Sequence, residues 1–211
     1  MSTVPEVEFA RQQHRVLRTV PVTKVGGRRR VAVFGGSFNP PHIGHVLVAT
    51  WVRSTGAADE VWWVPTWVHP FGKQLAPFDV RVAMCDAVAQ DLGPWARVDT
   101  IEATLPEPSF SITMLNALAS AHPDVSFRLI VGADTLTETN KWRGWDEISE
   151  RYTPILAGRS GHADIGALQF PNISSTEIRQ RLAKGESVSH LLPVALVPMA
   201  EAVWGTVNRQ R

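Results

Sequence analysis

Hydrophobic and polar positions along this chain switch repeatedly between a two-residue and a 3.6-residue period. Arg30 to Phe34 is a short, β-branched apolar run ending on glycine, the pattern of a buried parallel strand. Pro41, then His42 to Arg53, predicts a helix with proline in its opening turn. Glu60 to Val64 predicts a second strand, and Asp79 opens a helical stretch in which Val82, Met84, Cys85 and Val88 share a side. Ala96 to Ala103 alternates as a strand, Ser111 to Ala121 reads as a helix, and Ser126 to Val131 is an apolar strand closed by Gly132. Tyr152 to Ala157 and Leu168 to Phe170 are further strands, and Ser175 to Lys184 is a helix closed by Gly185. Strands alternating with helices predict an α/β fold with a doubly wound parallel sheet. Ligands of such sheets bind beyond the carboxyl ends of the strands, so Gly35, Gly132 and the loop after Val64 should gather around a site.

Residues 1–29 do not share this pattern. Pro5, Pro21, Gly26 and Gly27 interrupt them, so they read as an N-terminal extension with a short helix over Glu6 to Leu17, ahead of a single domain over 30–211. With 211 residues, 44% of them hydrophobic, the chain can bury one sizeable core. A formal charge of +1, with basic residues clustered only at Arg28-Arg29-Arg30, leaves no footprint for nucleic acid. The single cysteine, Cys85, excludes an intrachain disulfide and a multi-cysteine zinc site. No apolar run is long enough to span a bilayer and Met1 to Lys24 lacks the order of a signal peptide, so the expected address is cytoplasmic and no membrane partner is expected.

The chemistry concentrates in two segments. In Gly35-Gly36-Ser37-Phe38-Asn39-Pro40-Pro41-His42-Ile43-Gly44-His45, the glycines remove side chains where backbone N–H groups could meet a phosphate, and the following helix presents its positive end. His42 and His45, three apart on one side of the first turn, can both donate to phosphate oxygens. The same spacing could hold zinc, but no third ligand lies nearby. The segment lacks the Lys-Ser/Thr end of a P-loop and the G-x-G-x-x-G spacing of dinucleotide-binding oxidoreductases. The second segment is Ile173-Ser174-Ser175-Thr176-Glu177-Ile178-Arg179. Its hydroxyls can cap a helix or donate to phosphate, and Arg179, one turn on, can reach the same anion.

His42-Ile43-Gly44-His45 with its glycine turn resembles the signature of the HxGH nucleotidyltransferase superfamily, and Ile173 to Arg179 resembles that superfamily's ISSTxIR element, which grips the ATP triphosphate tail. Over about Arg30 to Thr206 the chain is similar to bacterial nicotinate-nucleotide adenylyltransferases. Val64-Pro65 through His69-Pro70-Phe71-Gly72-Lys73 and Arg81 looks like that family's loop after the second strand. Pro108-Ser109-Phe110-Ser111 is similar to its Ser-Tyr-Thr segment, Val131 to Leu136 to its Gly-Ala-Asp segment, and Lys141-Trp142 to its pyridine-stacking tryptophan. Asn39 stands where Asp is usual, Phe110 where Tyr is usual and Ser111 where Thr is usual, and the leader before Arg30 is additional.

The resemblance implies a Rossmann-like nucleotidyltransferase fold and adenylyl transfer from ATP to nicotinate mononucleotide, with Mg²⁺ carried on substrate phosphates and no dedicated metal ligands. His42, His45 and Arg179 are the expected catalytic residues. Gly35, Gly36, Ser37, Phe38, Gly132, Asp134, Ile173, Ser174, Ser175 and Thr176 are expected at ATP; Asp134 could instead cap a helix. Lys73, Ser109, Ser111, Trp142 and Arg159 are expected at the mononucleotide, although Trp142, three residues before Trp145, could equally fill core. Two rivals are an adenylyltransferase acting on another acceptor, such as nicotinamide mononucleotide, and a non-catalytic nucleotide-binding module.

Overall fold

The computed structural model describes residues 27–69, 72–132, 142–159 and 169–206. Six parallel strands form its sheet: β1 (Arg29–Gly36), β2 (Glu60–Pro65), β3 (Ala96–Val98), β4 (Val125–Gly132), β5 (Ile155–Arg159) and β6 (Gln169–Phe170), in the spatial order β3-β2-β1-β4-β5-β6. Among the described residues six α-helices accompany them: α1 (Ile43–Ser54), α2 (Phe78–Leu92), α3 (Ser111–Ala121), α4 (Trp145–Arg151), α5 (Ser175–Ala183) and α6 (Leu196–Trp204). The order reverses between β1 and β4, and at that switch point doubly wound sheets bind ligands. Gly36 and Gly132, the last residues of those two strands, stand at this edge.

Strand periodicity divides the core into two layers. Ala32, Phe34, Val61, Trp63 and Ile130 face one side, where α1, α2, α5 and α6 contribute Val52, Met84, Ile178 and Leu196. Val31, Val33, Trp62, Val64 and Leu129 face the other, against Leu115 and Leu118 of α3 and Ile148 of α4. In register, Val33 lies opposite Trp62 on one neighbour and Leu129 on the other, so large and branched side chains pack in a row across the sheet.

Several boundaries differ from the sequence pattern. The strand expected to run to Ala103 stops at Val98. Asp99 Oδ1 accepts the Ile101 N–H, and this local bond turns the chain into a 3₁₀ helix over Ile101–Thr104. The strand expected from Tyr152 begins at Ile155, because Tyr152 caps α4 and its hydroxyl donates to Asn116 Oδ1. The pattern does not predict α4 or α6. α4 has only seven residues and starts at left-handed Gly144. α6 carries Pro198, which resembles a breaker but occupies the first turn, where an N–H has no intrahelical acceptor. The helix expected over Glu6 to Leu17 and the start of the strand at Leu168 lie outside the described residues.

Candidate active site

The glycine turn leaves β1 at the switch point with the backbone of Gly35 exposed. A Cβ on Gly36 would come within 3.2 Å of the Phe38 ring, so this position must lack a side chain for Phe38 to fold back. Phe38 has a left-handed φ of 44° and is buried. Its ring packs at 5.1 Å from both His45 and Trp63. Phe38, Phe34 and Trp63 form an aromatic wall around His45, so Phe38 could border ATP only through that packed face.

His42 is the extended N-cap of α1 rather than a residue of its first turn, and is buried. Its backbone N–H donates to His45 Nδ1 at 3.1 Å, and the two rings stack with centroids 3.7 Å apart. With Nδ1 accepting, the neutral His45 ring carries its proton on Nε2 and can donate from that edge. A Cβ on Gly44 would lie 3.0 Å from His42 Cε1 and Nδ1, so the glycine between the histidines leaves the space that the His42 ring occupies. The helix end is less open than its sequence implies, since the Ile43 N–H is taken by the Leu191 carbonyl at 3.0 Å.

The second segment meets the first directly. Ser175 Oγ donates to the Pro40 carbonyl at 2.8 Å, and Arg179 Nη1 donates to the Asn39 carbonyl at 2.7 Å. Arg179 Nη2 also donates to Thr176 Oγ1 at 3.3 Å, and partial burial lowers its pKa from the ordinary arginine value. Ser174 caps α5, accepting the Glu177 N–H at 3.1 Å. The hydroxyls of Ser174 and Ser175 are therefore engaged in building the site. The backbone N–H groups of Ser175 and Thr176, at the positive end of α5, have no intrahelical acceptors and suit an anion. Ile173 precedes this cap, and its Cβ would lie 3.8 Å from a Cβ on Gly44.

A cavity of about 550 Å³ opens beside this junction, lined by Asn39, Gln74, Thr176, Arg179, Gln180 and Trp204 among others. Gln74, Gln180 and Trp204 carried no sequence signal, because isolated glutamines and a helix-terminal tryptophan fit any surface. Asn39 is buried, and its Oδ1 accepts the Ala76 N–H at 3.0 Å. Arg81, which the family resemblance groups with the loop after β2, is buried in α2. It donates through Nε to the Ala76 carbonyl and through Nη1 to the Ser37 carbonyl, both at 2.9 Å. Asn39 and Arg81 thus tie the glycine turn to the chain leading from Lys73 into α2; the Lys73 side chain itself is exposed.

Across the switch point, Ser109 is buried, Phe110 is the N-cap of α3 and Ser111 is its first residue. Trp142 packs partly buried against the α3 and α4 core, 5.7 Å from Trp145 in an edge-to-face pair. Trp142 leans on the core without being enclosed. Gly132 ends β4, Asp134 lies outside the described residues, and Arg159 is described only by its backbone, opposite Phe170.

The six-stranded parallel sheet flanked by helices is an α/β nucleotidyltransferase fold, matched by the solved structures that follow. A family model described as Cytidylyltransferase-like matches residues 33–181. A probable nicotinate-nucleotide adenylyltransferase of Anaeromyxobacter sp. (strain K) is 46% identical over 181 residues, covering 84% of this chain and 96% of that protein. Its counterpart in Myxococcus xanthus (strain DK1622) is 41% identical over 81% of this chain and 91% of its own length. The solved structure of Plasmodium falciparum nicotinic acid mononucleotide adenylyltransferase complexed with APC superposes with a TM-score of 0.68 at 17% identity, covering 81% of this chain and 94% of that one. The same enzyme complexed with NaAD gives 0.64. The chain belongs to the cytidylyltransferase-like family and, within it, to the nicotinate-nucleotide adenylyltransferases.

Proposed function

We propose that the protein transfers the adenylyl group of ATP to the 5′-phosphate of nicotinate mononucleotide, yielding nicotinate adenine dinucleotide and pyrophosphate. The observation that carries this reading is the junction of Asn39 and Pro40 with Arg179 and Ser175, which joins the segment of the two histidines to that of the guanidinium and supports reading them as one anion site. Membership of the family supports the choice of substrates.

An acceptor phosphate oxygen attacks the α-phosphorus in line. The new O–P bond forms as the bond to the β-phosphate oxygen breaks, and pyrophosphate takes the electron pair. The acceptor is already an anion, so no side chain need remove a proton, and the protein acts by positioning and by stabilising charge. His45 donates from Nε2 to the α-phosphate oxygens and His42 faces the phosphates beyond. Arg179, Thr176 and the first N–H groups of α5 hold the departing pyrophosphate in the cavity that Gln180 and Gln74 also line. Gly35, Gly36 and Gly132 leave backbone exposed to the nucleotide, while Lys73, Ser109, Ser111, Trp142 and Arg159 are read on the acceptor side.

The donor set here, imidazole, hydroxyl, guanidinium and backbone N–H, suits an anion better than a hard dication. Among the described residues no cluster of three His, Cys, Asp or Glu side chains forms a metal cage. Mg²⁺, entering with ATP, would be carried on its phosphate oxygens and would supply charge neutralisation of the tail. No described helix is long and apolar enough to cross a membrane; a cytoplasmic address is part of this proposal, as is one catalytic unit over 30–211.

The test is pyrophosphate release with ATP, Mg²⁺ and nicotinate mononucleotide, with dinucleotide formation followed in parallel. Both products should appear in equal amounts. ATP binding without either product would overturn the enzymatic reading in favour of a binding module.

A further inference from the structure

The segment leading into α4 ends in Trp142-Arg143-Gly144. Gly144 takes a left-handed φ of 73°, and a Cβ there would meet the Ile112 side chain at 3.0 Å, so this backbone lies directly on the first turn of α3. The close approach sets the Arg143 guanidinium over the ring of Phe110, 5.3 Å from its centroid. Phe110 is the N-cap of α3, offers no polar cap atom, and is followed by no acidic residue in the first turn. Trp142 and Phe110 both lean, partly buried, on the same core layer.

Arg143 is exposed, and its partner among the described residues is this ring rather than a carboxylate. Glu147, one turn into α4, is engaged by Arg151. A guanidinium resting on an aromatic face is restrained while the edges of its planar fork stay open, and that fork matches a carboxylate through two parallel hydrogen bonds. The local field agrees, since the uncapped start of α3 also favours negative charge.

We propose that Arg143 is a specificity-determining residue that selects an acceptor whose aromatic ring bears a carboxylate over one bearing the neutral carboxamide. This rests on the proposed function above, with Trp142 as the platform for the ring. A carboxylate accepts from both arms of the fork. A carboxamide of nearly the same shape carries no charge and turns an N–H towards a cation that cannot accept it. A charge-assisted hydrogen bond at a partly exposed position corresponds to roughly tenfold in affinity.

The experiment measures kcat/KM for nicotinate and nicotinamide mononucleotides at saturating ATP, in the wild type, Arg143→Ala and Arg143→Lys. Arg143→Ala should lower the value for the acid roughly tenfold, through KM, and leave the amide within about twofold. Arg143→Lys should recover part of the preference, because a point charge attracts the carboxylate without the fork. Added salt should narrow the wild-type preference and not that of Arg143→Ala. Equal losses on both substrates, or none on either, would overturn the proposal. A wild type that favours the acid alongside an Arg143→Ala protein with the same ratio removes Arg143 alone; a wild type that favours the amide overturns the substrate reading and the role of Arg143 with it.

Discussion

His45 is held from three directions: its Nδ1 accepts the His42 N–H, its face stacks on the His42 ring, and Phe34, Phe38 and Trp63 surround its edges. Such a ring cannot turn away, so its remaining N–H is aimed before substrate arrives. His45→Ala should lower kcat by roughly a hundredfold or more with little change in KM, as expected for loss of a donor to developing charge; steady-state kinetics on folded protein tests this, and near-normal turnover would remove His45 from the chemistry. Gly44 separates stability from activity. Alanine favours a helix over glycine by about 1 kcal/mol, yet the added Cβ would press on the His42 ring. Gly44→Ala should therefore keep or raise the melting temperature while turnover drops by tenfold or more. A fall in both would mean that the ring cannot yield and the helix distorts instead. The paired histidines were legible in the sequence because their spacing on a helix end fixes their common side. Arg81 and Asn39 were not, since nothing in an arginine's neighbours says that its guanidinium will find carbonyl acceptors indoors.

At the scale of elements, β1, β2, β4, α1, α3 and α5 were readable because each combines a clear hydrophobic period with a glycine, proline or hydroxyl at its end. The stretch after Val98 misled, because alternation there continues while Asp99 captures a backbone N–H and turns the chain. That turn has an energetic consequence. It buries Glu102, whose Oε2 accepts the Trp67 N–H at 3.1 Å. Burial pushes the Glu102 carboxyl above its ordinary 4.5, and the bond from Trp67, the nearby Ser109 hydroxyl and the charge of Arg81 offset this only in part. Folding then favours the protonated form. The stability associated with this group is complete below the unfolded value near 4.5 and is lost as pH rises through the folded pKa. Glu102→Gln, which keeps an acceptor for Trp67, should match the wild type in acid and gain on it towards neutral pH. Melting curves from pH 4 to 8 decide, and a wild type that gains on the variant as pH rises would show that Arg81 stabilises the carboxylate outright.

At the scale of the whole molecule, the proposed anion site spans 140 residues of chain, the separation between Asn39 and Arg179. A ligand touching both segments resists unfolding of the layer in which α1 and α5 both pack. ATP at a hundred times its dissociation constant should stabilise the protein by about 2.7 kcal/mol, and each kcal/mol raises the melting temperature of a domain this size by roughly 2–4 °C. Arg179→Ala should lose most of that increment at the same ATP concentration. A full ATP-induced rise in the variant would mean that the tail is held elsewhere.

The same separation sets an order on the protein's birth. A ribosome releases the glycine turn and both histidines well before Arg179, because β1 comes first in chain order among the described strands while α5 follows all six. Domains tend to fold as units while synthesis proceeds. A nascent chain carrying His42 and His45 but halted before Ser174 has half of the proposed anion site and no bridge from Arg179 to Asn39. On the proposed roles it lacks the groups that hold the triphosphate, and nucleotide capture waits until α5 leaves the exit tunnel.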